Sequence, residues 1–160
     1  MFRFLLFLKG KIKPQKQLQQ ALRDWEQFTC LGSEFYHQKD FRSAILQFEK
    51  ALESARTGLS SQSERATFMQ YYTLASMNLA QALNCYQQQP QSEQVLSDAH
   101  FNMLAVMVDI SEPVRFRDEA RAQAEVLLQN LSDFLVSMGR NKVADSLAEE
   151  FSRLKITHCT

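Results

Sequence analysis

The sequence predicts an all-α fold, six helices arranged as three stacked antiparallel hairpins, with a general six-helix bundle as the alternative arrangement. Three observations carry this. Glycine (4) and proline (3) are too scarce among 160 residues for a sheet joined by tight turns. Apolar residues recur at helical spacing through almost the whole chain. The first and last hairpins also match at an offset of one hundred residues, pairing Phe28, Leu31, Gly32, Phe35 and Ala44 with Leu128, Leu131, Ser132, Leu135 and Ala144. Beyond those, Phe48 and Ala51 meet Ala148 and Phe151, an exchange of large for small.

The elements follow in order. Pro14 suits the first turn of a helix that continues through Leu18, Trp25, Phe28 and Leu31 to Phe35. Asp40 is a good N-cap for a second helix to about Arg56, with Gly58 placed to close it as the residue just past the end. Ser60, Ser61 and Ser63 offer caps for a third helix, whose apolar side holds Phe68, Tyr72, Leu79 and Leu83. The glutamine-rich run Gln87 to Gln91, broken by Pro90, ends it, and Ser92 starts a fourth. Ser111, Glu112 and Pro113 read as the start of a fifth helix that runs to Gly139, and a sixth follows to about Lys155. In the middle hairpin Leu79, Ala80 and Leu83 match the first, but the fourth helix lacks an alanine at the expected spacing.

Charge divides the chain. Arg3, Lys9, Lys11, Lys13, Lys16 and Arg23 stand among residues 1–23 without an acid, so a formal net charge of zero leaves −6 on residues 24–160. A body of that sign argues against a nucleic-acid-binding face, which needs clustered lysine and arginine, and leaves only the arm for such a role. The expected domains are a basic, apolar arm at 1–14, a helical domain at 15–157 and a tail at 158–160. The apolar run Phe4 to Leu8 is well short of the roughly 20 residues that span a bilayer, and its lysines follow it, unlike those of a secretory signal. The arm admits three readings: a weak membrane-surface contact through residues 1–16, a plug docked on the domain, or an unstructured extension. Three cysteines, Cys30, Cys85 and Cys159, with no C-x-x-C pair, favour free thiols and the cytoplasm. Cys30 and Cys85 are expected to be buried as small apolar side chains, and Cys159 to be exposed.

Catalytic and metal motifs find little support. Glu34 and His37 form one E-x-x-H, which puts a carboxylate and an imidazole on one helix face, but a di-iron bundle needs that pair twice plus two further carboxylates. His100 and His158 lack a partner at that spacing, and no H-E-x-x-H, glycine-rich phosphate loop or G-x-S-x-G occurs. Neither a catalytic residue, a metal site nor a cofactor is expected.

Residues 28–51, with Leu31-Gly32, Phe35, Ala44, Phe48 and Ala51 at their spacings, resemble a tetratricopeptide repeat, and residues 128–151 resemble it more weakly. The resemblance implies a right-handed array whose inner groove is lined by the first helix of each hairpin. Here that face carries Glu26, Thr29, Ser33, Tyr36 and His37, then Gln81 and Asn84, then Gln129, Asp133 and Val136, a polar and nearly neutral set. Family members that clamp acidic carboxyl termini use lysine and asparagine where Thr29 and Ser33 stand, so that ligand class does not carry over. The reading is a non-enzymatic interaction module or adaptor for an unknown protein or peptide. Its rivals are a metal protein or enzyme using Glu34 and His37, and a membrane-peripheral adaptor anchored by residues 1–16.

Overall fold

The computed structural model describes the backbone of residues 2–158 and the side chains of residues 15–157. The arm's side chains, His158 and Cys159 lie outside these, and with them the three readings of the arm. Six helices form: α1 (Phe2–His37), α2 (Phe41–Gly58), α3 (Arg65–Cys85), α4 (Gln89–Val108), α5 (Val114–Ser137) and α6 (Asn141–His158). No strand occurs among the described residues. Every helix packs on the next in sequence, and α1 with α3, α3 with α5, and α4 with α6 also touch. The helices therefore form two layers, with α1, α3 and α5 in one and α2, α4 and α6 in the other.

The three hairpin turns share one geometry. Lys39 (φ 61°), Gln87 (φ 63°) and Gly139 (φ 74°) are left-handed and stand 48 and 52 residues apart. In each turn the following N–H reaches back over the helix end: Asp40 to the Phe35 carbonyl at 2.9 Å, Gln88 to Leu83 at 2.9 Å, and Arg140 to Leu135 at 2.8 Å. This Schellman closure satisfies carbonyls that the helix end leaves unpaired. Aligned on these turns, the middle hairpin falls into line with the other two. Leu31, Leu79 and Leu131 are equivalent, as are Phe35, Leu83 and Leu135. The missing alanine of the fourth helix is Ser92, equivalent to Ala44 and Ala144 and 1% exposed. Its hydroxyl donates to the Ala80 carbonyl at 2.8 Å, so a polar side chain occupies the close approach without an unpaired group. Ala99 likewise takes the place of Ala51, and both are fully buried.

Several ends differ from expectation. Asp40 caps α2 as anticipated, accepting from the Ser43 N–H at 3.1 Å, and these bonds hold its carboxyl below the usual range. Gly58 is instead the last residue of α2, without a positive φ. Its role is packing, because a Cβ there would stand 2.1 Å from the Phe68 ring. Gly32 is similar, since a Cβ would meet the Phe48 ring at 2.5 Å. Ser111 is no cap; its N–H and hydroxyl both donate to the Asp109 carboxylate, at 2.9 and 2.6 Å, and α5 begins after Pro113. Pro14 lies within α1 instead of in its first turn.

The core runs continuously through the stack, from Ala44, Phe48 and Leu52 through Met69, Tyr72 and Leu79 to Met103, Leu127, Leu131 and Phe151. Among its polar members is His100, 1% exposed, whose Nδ1–H donates to the Ala124 carbonyl at 2.9 Å. Its ring lies 5.9 Å from that of Phe151, so α4, α5 and α6 meet there. Burial holds this imidazole below its ordinary value.

Candidate functional site

The ten residues assigned to the groove stand on α1, α3 and α5. Counted from the left-handed turn residues, they fall into equivalent rows: Thr29 with Gln129, Ser33 with Gln81 and Asp133, and Tyr36 with Asn84 and Val136. Glu26, His37, Gln81, Asn84, Gln129, Asp133 and Val136 are exposed, whereas Thr29, Ser33 and Tyr36 are half-buried, because α3 packs alongside α1.

Side-chain contacts join α1 to α3 at a register of nearly one hairpin. Trp25 stacks on Tyr71 with ring centres 4.0 Å apart, and its indole N–H donates to the Tyr71 carbonyl at 3.2 Å. Three turns further on, the Tyr36 hydroxyl and the Cys85 thiol share a hydrogen bond at 3.3 Å. That bond, then burial and the charge of Cys85, raise the Tyr36 phenol above its ordinary value, and a hydrogen bond with Gln81 opposes them. Tyr36, Gln81 and Cys85 thus meet, whereas Gln129 engages Asp133 on its own helix at 2.8 Å. Ser33 donates to the Thr29 carbonyl at 2.9 Å, and the Thr29 hydroxyl is buried without a partner.

The equivalent rows contain members that the sequence reading missed. Leu74 and Val126 stand where Glu26 does, 42% and 43% exposed, and Met77 stands where Thr29 does. The face is therefore polar at the first hairpin and carries exposed apolar side chains on the second and third. The turn register would have revealed these residues, but two of its three left-handed positions are not glycine and so left no mark in the sequence. Cys85 also belongs to this face. Cys30 and Cys85 are both exposed, against the expectation of burial; Cys85 ends α3 beyond the last core position, Leu83.

Glu34 and His37 are both exposed, and no group of three or more His, Cys, Asp or Glu side chains among the described residues could hold a metal ion. No helix among them is long and apolar enough to cross a membrane. A cleft of about 800 Å³ lies between α1 and the α2–α3 connection, lined by Gln15, Gln19, Ser61, Gln62, Phe68 and Tyr71 among others. It is an amide- and hydroxyl-rimmed hollow, with the Glu64 carboxylate among its lining groups.

The family model described as protein of unknown function (DUF2753) matches residues 23–157, and the chain belongs to that family. Neither a curated protein nor a solved structure matches the chain.

Proposed function

We propose that this chain is a tetratricopeptide-like interaction module, one that presents the exposed side of α1, α3 and α5 to a partner peptide or helix and carries out no chemistry of its own. The observation that supports it most is the common register of the three turns, which sets Ser33, Gln81 and Asp133, and likewise Tyr36, Asn84 and Val136, at equivalent places. A face that repeats hairpin by hairpin suits an extended ligand, since successive units of the ligand meet successive hairpins. The small residues at the helix approaches, Gly32 with Phe48 and Ala80 with Ser92, add to the likeness. The spacing of 48 and 52 residues departs from the roughly 34 of a bare tetratricopeptide repeat and reflects longer helices. A groove held by such packing is ordered before binding, so the partner meets little ordering cost on this side of the interface.

Gln81→Arg combined with Gln129→Arg alters two exposed side chains of this face and none of the core. Affinity capture from the source cell with the wild type is expected to retain a stoichiometric partner that the double variant loses, at an unchanged melting temperature. Retention of the same partner by the variant would refute the assigned face. One equivalent of transition metal bound to the purified chain, and lost in His37→Ala, would refute the non-catalytic reading.

A further inference from the structure

The second layer is not closed throughout. α4 packs close to α6, but the backbones of α2 and α4 stay apart, and α3 packs on both. Phe151 of α6 reaches the His100 ring of α4, whereas the equivalent position on α4 is Ala99, which carries only a methyl group toward its neighbours. The furrow holds a cleft of about 330 Å³. Its apolar lining includes Leu59, Met69, Met103 and Val106, and two arginines, Arg56 and Arg65, border it.

The polar groups here are mainly donors with capacity to spare. Arg65 gives one terminal nitrogen to Glu112 at 2.7 Å, while its Nε is buried without a partner. Arg56 lies over the Tyr72 ring at 5.9 Å and meets Glu53 only at 3.6 Å, with both side chains more than half exposed. Such an exposed pair is worth little and yields readily to a better acceptor. Asn102 donates to the Tyr72 hydroxyl at 2.9 Å, which leaves that hydroxyl its own proton to give.

We propose that the furrow between α2 and α4 is a second binding site, distinct from the α1, α3 and α5 face, that takes an acidic peptide segment of a partner protein. Its carboxylate would engage the guanidinium groups of Arg56 and Arg65, and a neighbouring leucine-like side chain would lie on the half-buried Leu59 and Val106. Charge complementarity selects the carboxylate, because planar guanidinium groups match its two oxygens. The apolar floor selects a carboxylate borne next to an alkyl side chain over a bare inorganic anion. This proposal stands whether or not the opposite face binds a peptide.

Amide shift mapping of the full chain tests it with three probes: acetyl-Leu-Glu-Leu-Leu-amide, acetyl-Leu-Gln-Leu-Leu-amide, and acetyl-Leu-Gln-Leu-Leu with a free terminal carboxylate. At least one carboxylate peptide is expected to shift the amides of Leu59, Met69, Asn102 and Val106 saturably, about tenfold or more tightly than the neutral peptide. Which of the two binds tighter shows whether a side chain or a chain terminus is the source. Arg56→Gln should weaken that binding by about tenfold with the fold intact, and Arg65→Lys, which keeps the charge beside Glu112, should weaken it by removing the fork. Equal binding of the neutral peptide, shifts confined to another face, absence of saturation, or indifference to both substitutions would overturn the proposal.

Discussion

His100 shows how a titratable side chain can sit in this core: one ring nitrogen is spent on the Ala124 carbonyl, and burial keeps the ring neutral. An unfolded histidine takes up its proton near pH 6.5, whereas the native one resists it. The unfolded chain therefore binds more protons below that pH, and stability is expected to fall as pH drops from about 6.5 toward the lowered native value. Asp40 and Asp109, held low by their serine partners, matter only at more acid pH, below about 4. Urea midpoints at pH 7.5 and 5.5 check this, and His100→Asn should flatten the difference even though it lowers both midpoints. Gly58 makes the second prediction at this scale. Alanine favours a helix over glycine by about 1 kcal/mol, but a Cβ at 2.1 Å from the buried Phe68 ring forces that ring or the helix to move. Gly58→Ala should therefore lower stability by about 1–2 kcal/mol net, and a second change, Phe68→Leu, should recover part of the loss in a double-mutant cycle.

At the scale of the element, the three turns invite direct comparison. Gly139 adopts its left-handed conformation at no steric penalty, while Lys39 and Gln87 carry a Cβ there. Gln87→Gly and Lys39→Gly are each expected to raise stability by about 0.5–1 kcal/mol, and Gly139→Ala to lower it by about 1 kcal/mol. Thermal unfolding of the three variants checks both signs. A uniform loss would mean that the Lys39 and Gln87 side chains make compensating contacts. These turns also explain which features were legible beforehand. The Asp40 cap and the register of the first and third hairpins could be read from residue types with strong local preferences. The middle hairpin could not, because Ser92 does the work of an alanine only by virtue of the Ala80 carbonyl beside it, a partner set by tertiary packing. Ser111 misled for the opposite reason: a serine shortly before a helix-starting proline reads as a cap, but here Asp109 holds its donors.

For the whole molecule, composition and periodicity were sufficient to read an all-α chain of six helices, since each helix carries its own apolar stripe. The open furrow was beyond reach, because it depends on α2 and α4 staying apart, which no local pattern encodes. The assigned face could be named from the sequence at ten positions on α1, α3 and α5, but Leu74, Val126 and the exposed Cys85 join them only once the turns are aligned. The proposed role rests on that aligned face meeting a partner. The most direct measurement places a photo-crosslinking benzoylphenylalanine in source cells at Gln81 or Gln129, and as references at Lys142 or Glu149, exposed positions on α6. A discrete covalent adduct with the same protein is expected from both Gln81 and Gln129 and none from the α6 positions. Adducts from α6 alone, or none from Gln81 and Gln129 while the substituted chains remain folded, would contradict the proposed role.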